Sequence, residues 1–135
     1  MIFEQLFDDK SSTYTYVIAS GKGREALIID PVIEHSNHYI KVLENLELKL
    51  VKVIDTHIHA DHITGLNELS QRTGCTKVMG ENSKSEVIDL KVKDEEIIKI
   101  EKIDLKVIYT PGHTDDSYCF IMKDSILTGD NLLIN

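Results

Sequence analysis

No run of apolar residues in this 135-residue chain approaches the roughly 20 that a membrane-spanning helix needs, so a membrane role is not expected. Basic residues are the scarcer charge. Fifteen Lys and Arg against 23 Asp and Glu leave a formal net charge of -8, which argues against the basic surface a nucleic-acid backbone requires. Cysteine is rare: Cys75 and Cys119 are far apart, form no C-x-x-C pair and are expected to be reduced and buried. The N-terminal MIFEQLFDDKSS lacks the basic region and apolar core of a signal peptide, and is not the Arg-rich, acid-poor composition of a transit peptide. A cytoplasmic location is the default expectation. No repeat, low-complexity segment or linker interrupts the chain. With 41% hydrophobic and 28% charged residues, one globular domain over 1–135 is expected.

What is present begins with strand patterns. TYTYVIA (13–19) and EALIID (25–30) are rich in β-branched and aromatic residues, and SGKGR between them supplies the glycines of a hairpin turn. GKG there is no phosphate loop, because the GxxxxGK[ST] spacing is absent. Ile40, Leu43 and Leu46, three apart, predict a helix over 34–46. His35 and His38 on it could share a metal, but with no third ligand nearby they are expected to be solvated surface residues. LVKVID (50–55) predicts a strand, and a helix over 61–73 should stop at Gly74. TKVMG (76–80), EEIIKI (95–100) and LKVIY (105–109) predict further strands, the last two plausible partners. YCFIM (118–122) and SILTG (125–129) predict a final pair around a turn at Lys123 and Asp124. Antiparallel hairpins at both ends with strand–helix–strand units between them imply helices packed on the outer faces of stacked sheets.

The chemistry concentrates in THIHADH, residues 56–62, where three of the chain's six histidines and an aspartate directly follow the LVKVID strand. Alternation along an extended segment lets His57 and His59 point the same way, and Asp61 and His62 fall on the first turn of the next helix. Imidazole and carboxylate are ligands that zinc, iron and manganese accept. Asp61 alone could be a helix cap, but capping leaves three histidines unexplained. Two further segments repeat the pattern of an apolar strand ending in a ligand-type residue: VIYTPGHTDDS carries His113, and SILTGDN carries Asp130. Strand ends are where loops converge over a rigid sheet.

THIHADH, TPGHTDDS and LTGD, in that order, resemble the metal-binding signature of the metallo-β-lactamase superfamily. The fold implied is an αβ/βα sandwich with its site along one edge of two sheets, here in its N-terminal part. FEQLFDDKSSTYTYVIA, REALIIDPV, VIDTHIHADHITG, YTPGHTDDSY and LTGDNLLI are similar to the persulfide dioxygenases, which oxidise glutathione persulfide to glutathione and sulfite with O₂. Glutathione thioesterases of glyoxalase II type share THxHxDH and the later His and Asp, but read less like SSTYTY near the N-terminus. The dioxygenase resemblance implies one Fe(II) per chain held by His57, His113 and Asp130. Two histidines and one carboxylate form the facial triad of non-haem oxygenases. His59, Asp61 and His62 would orient ligands and handle protons, Asp61 as the catalytic group. The thioesterase resemblance implies zinc instead, with His57, His59 and His113 on one ion, Asp61 and His62 on another, and Asp130 bridging.

Family members continue past the LLIN segment through a second part that brings a further ligand histidine and much of the glutathione pocket. No histidine follows Asp130 in this sequence. The mononuclear triad is complete, whereas a two-zinc site lacks a ligand. The resemblance therefore implies a C-terminally incomplete domain whose bare sheet face pairs with a second copy through the C-terminal half. A non-catalytic metal-binding or assembly module is the remaining alternative. The expected partners are a glutathione-type thiol persulfide and O₂.

Overall fold

The computed structural model describes residues 2–10, 13–55, 65–80, 88–101, 103–109, 118–124 and 130–134. Among these residues, ten strands form two sheets. The first, in the order β1-β2-β3-β4-β5-β6, contains β1 (Ile2–Asp8), β2 (Thr13–Ala19), β3 (Glu25–Ile29), β4 (Lys49–Ile54), β5 (Thr76–Gly80) and β6 (Leu90–Val92). The second, in the order β10-β9-β8-β7, contains β7 (Ile97–Ile100), β8 (Ile103–Tyr109), β9 (Tyr118–Asp124) and β10 (Asp130–Ile134). β1, β2 and β3 pair antiparallel, β3 through β6 pair parallel, and the second sheet is antiparallel throughout.

Strands β2 to β5 of the first sheet divide their side chains between two cores. Ile18, Leu27, Ile29, Ile54 and Val78 face the second sheet and pack with Ile98, Ile100, Ile103, Leu105 and Val107. Val17, Ala26, Ile28, Val53 and Met79 face the helices. There α1 (Ser36–Asn45) contributes Tyr39 and Leu43, and α2 (Leu66–Thr73) contributes Leu66 and Leu69. Among the described residues, helices cover one face only.

In β4 the alternation slips: Ala26 lies opposite Leu50 and Leu27 opposite Lys52, so Val51 is an extra residue. Val51 packs on the inter-sheet side, and Lys52 Nζ on that same side donates to Lys99 O at 2.9 Å. The bulge resets the phase of Val53 and Ile54, and therefore of whatever follows them.

Most predicted elements stand, some with moved boundaries. β5 occupies the expected 76–80, Gly74 ends α2 in the left-handed conformation (φ 76°), and β7 pairs with β8. Helix α1 begins at Ser36 after a 3-10 turn at Ile33–His35, and its buried stripe is Ser36, Tyr39 and Leu43. Ile40 is only partly buried, because the amphipathic Tyr39 takes the inward position. Strands β1 and β6 are additions to the expected set. The final pair is a correction: Lys123 and Asp124 belong to β9 rather than to a turn, and 130–134 is the described partner of β9. That register sets Asp104, Lys123 and Asp130 in one row across β8, β9 and β10. Residues 125–129 lie outside the described residues.

Candidate metal centre

The parallel strands β3 and β4 end level with each other, Ile29 opposite Ile54. Their next residues are the aspartates Asp30 and Asp55, 5% and 2% exposed. Asp30 N–H donates to Ile54 O at 2.7 Å, and Asp55 N–H donates to Val78 O at 3.2 Å. The chain turns at Asp30 through a left-handed conformation (φ 57°), which a short polar side chain tolerates. Its carbonyl is held by Thr15 Oγ1 at 2.7 Å, and Thr15 Oγ1 also lies 3.1 Å from Tyr39 Oη. Tyr39 Oη in turn accepts the N–H of Val32 at 3.0 Å. A buried hydroxyl pair thus fixes the end of β3. Sequence reasoning gave neither aspartate a role, although EALIID and LVKVID both end in one.

The described residues on either side of 56–64 are anchored. Upstream is the Asp55–Val78 bond. Downstream, Gly65 N–H donates to Pro31 O at 3.0 Å, and Leu69 N–H bonds to Gly65 O at 3.0 Å to start α2. His57, His59, Asp61 and His62 fall within this segment and lie outside the described residues. So does His113.

The described strands that precede the histidine segments share an edge. Glu101, just past β7, bonds to Arg24 at 3.2 Å and to the backbone N–H of Glu25. The end of β7 therefore lies against the beginning of β3. β8 reverses β7, so it runs with β3 and β4 and ends at Tyr109 on the edge that carries Asp30 and Asp55. β4 and β8, which precede the segments carrying His57 and His113, therefore both end at that edge. Asp130 differs. Its backbone lies opposite Lys123, five residues along β9 from Tyr118, or about 17 Å towards the other edge. Its side chain is outside the described residues. Gathering Asp130 with the histidines requires 125–129, rather than 130–134, to pair with β9.

His35 is not simply solvated. Its Nε2 lies 2.9 Å from Asp8 Oδ1, bridging β1 to the start of α1. His38 is exposed, as expected. Among the described residues, no three His, Cys, Asp or Glu are arranged to hold a metal ion. Cys75 is free and buried, and burial pushes its thiol above the ordinary value. Cys119 lies in β9, its side chain outside the described residues. No helix among the described residues is long and apolar enough to cross a membrane.

Residues 8–134 match the sequence pattern of the metallo-beta-lactamase superfamily. The chain is 37% identical over 137 aligned residues to the mitochondrial persulfide dioxygenase ETHE1 of Mus musculus, covering 99% of this chain and 54% of that protein. It is 32% identical to the hydroxyacylglutathione hydrolase of Pelagibacter ubique, over 88% of this chain and 51% of that protein. Among solved structures, ETHE1 from Myxococcus xanthus superposes with a TM-score of 0.86 at 41% identity, covering 90% of this chain and 54% of that one. The chain thus spans about half the length of these relatives.

Proposed function

The chain belongs to the metallo-beta-lactamase superfamily, and we propose that it carries the iron site of a persulfide dioxygenase acting on a glutathione-type persulfide and O₂. The observation that carries this reading is the shared edge: THIHADH and TPGHTDD both continue from strands that end there, and the sequence is 37% identical to a persulfide dioxygenase over 99% of its length.

The donor set fits the metal. Two imidazoles and one carboxylate, His57, His113 and Asp130, leave three positions open around a single Fe(II). The strands that precede the two histidine segments end at a shared edge, which supports the reading, whereas Asp130, opposite Lys123, would join them only in another register. Bound there, iron would supply the electrons that O₂ needs and a binding position for sulfur. His59, Asp61 and His62 would orient the ligands and carry protons, Asp61 as the acid–base group. The buried Asp30 and Asp55, with the bulge at Val51, would hold the strand ends from which the ligands project. Self-association with a second copy, expected through the C-terminal half rather than through the β1–β2 edge where Phe3, Phe7 and Tyr14 are exposed, would register in light scattering.

The dinuclear zinc thioesterase is the second reading, supported by 32% identity to a hydroxyacylglutathione hydrolase. Oxygen uptake with glutathione persulfide, set against hydrolysis of S-lactoylglutathione, separates the two. Turnover of neither, with or without added iron, would leave the metal-binding or assembly module.

A further inference from the structure

Five large hydrophobic side chains are exposed among the described residues, and three of them, Phe3, Phe7 and Tyr14, lie on the β1–β2 edge. Two ring pairs form there. Phe7 stands directly opposite Tyr14 with ring centroids 4.7 Å apart, and the Phe3 ring lies 5.4 Å from that of Tyr16. Between them Gln5 Nε2 donates to Tyr16 Oη at 3.2 Å. Tyr16 packs against the inter-sheet core, whereas Thr15 turns the other way and bonds to Tyr39 of α1. By alternation Tyr14 shares the face of Tyr16, the face that also carries Ile29 and Ile54.

The register places the Phe7–Tyr14 pair beside the edge at which β4 ends. Tyr16 lies opposite Ile29, and Ile29 opposite Ile54, the last residue of β4. Tyr14 is two residues past that row, about 7 Å beyond the ends of β3 and β4. Two strand spacings, about 10 Å, separate β2 from β4. The pair therefore overhangs the edge shared by β4 and β8, to one side of the strand that leads into THIHADH.

Phe7 is 52% and Tyr14 49% exposed, so the pair offers about 200 Å² of ring surface. That is well below the roughly 800 Å² per partner of a stable protein interface, and suits one arm of a small ligand. A thiol persulfide must bring its sulfur to the metal, and whatever the sulfur is attached to then extends sideways. A tripeptide reaches about 10 Å, enough to span two strands, whereas a single amino acid reaches about 3–4 Å.

We propose that Phe7 and Tyr14 form an aromatic wall that packs against the peptide arm of the substrate, a role that rests on the dioxygenase reading above. The wall selects a tripeptide persulfide over the persulfide of a single amino acid.

Isothermal titration of the purified, metal-loaded chain with glutathione, and with cysteine as the armless control, reads the wall without turnover. Phe7→Ala and Tyr14→Ala should each weaken glutathione binding roughly tenfold, the loss of about 50–60 Å² of buried apolar contact. Cysteine binding should not change, and Tyr14→Phe, which keeps the ring, should match the parent. In oxygen-uptake assays the same truncations should raise KM for glutathione persulfide by a similar factor and leave kcat alone. Where an alanine variant fails to fold, Phe7→Leu carries the test, with glutathione binding weakened several-fold. Glutathione bound alike by parent and truncated chains, or glutathione and cysteine weakened alike, overturns the proposal. Oxygen uptake with ring-independent binding leaves the dioxygenase reading standing without the wall. Ring-dependent glutathione binding with no oxygen uptake does the reverse, sinking the dioxygenase and keeping the wall.

Discussion

Gly65 and Pro31 touch through their backbones: Gly65 N–H donates to Pro31 O at 3.0 Å, and a Cβ on Gly65 would stand 3.1 Å from Pro31 Cβ. The φ of Gly65 is -83°, so an L residue meets no conformational objection there. The space is the constraint. The contact ties the end of β3 to the start of α2 and fixes the downstream end of the motif segment.

Gly65→Ala is expected to push α2 from Pro31 and to destabilise the fold by about 1–2 kcal/mol, as overpacking does. Thermal unfolding together with a metal titration would show both a lowered midpoint and weaker metal binding. An Ala variant equal to the parent in both would mean that α2 and Pro31 separate freely.

Thr15 and Tyr39 form a single buried polar unit with Asp30 and Val32. Thr15→Val removes the donor to Asp30 O and leaves that carbonyl short of a partner, at a cost of about 1–3 kcal/mol. Because Thr15 and Tyr39 share a bond, Thr15→Val and Tyr39→Phe should be less than additive in a double-mutant cycle of denaturant midpoints. Full additivity would break the unit apart.

Stability should fall at alkaline pH. Burial, the largest influence, pushes the Tyr39 phenol above its ordinary 10.0, against the hydrogen bonds from Thr15 and Val32 that lower it. Burial likewise raises the Cys75 thiol above 9.0. Both groups hold their protons longer in the folded chain than in the unfolded one. Their contribution is therefore complete below about pH 9 and is lost as pH rises through the folded-state values. Tyr39→Phe and Cys75→Ala should each flatten the alkaline limb of a stability–pH curve. Native Cys75 should also react slowly with thiol reagents. An unchanged limb, or fast labelling, would contradict its burial.

The last strand gives a test of its own. If Asp130 joins His57 and His113, metal loading must pair 125–129 with β9 and release the register that sets Asp130 opposite Lys123. Cross-strand NOEs in a zinc-loaded sample should then connect 125–129 to β9. An Asp130–Lys123 pairing retained with metal bound would remove Asp130 from the ligand set.

Much of this fold is legible in the sequence. Period-two runs such as TKVMG and TYTYVIA, and the glycine stop at Gly74, map directly onto strands and a helix end, because local pattern and tertiary burial agree there. IFEQLFD was missed as a strand: Phe3 and Phe7 stand exposed on an edge while Leu6 and Asp8 turn inward, so its pattern is blurred. The His35–Asp8 bond joins residues 27 apart, and no local signal reveals it. The DNLLI pairing was obscured because SILTG is an equally good strand pattern next to the same partner. Asp30 and Asp55 were visible as letters, but their burial depends on two strands ending level, which is a property of the sheet.

Metal analysis of the anaerobically purified chain, beside its His113→Ala variant, addresses the centre of the account most directly. One iron per chain in the parent and its loss in the variant is the predicted result, since iron stands low in the affinity order and a three-residue site cannot spare a ligand. Two zinc ions per chain, or iron retained without His113, would contradict it.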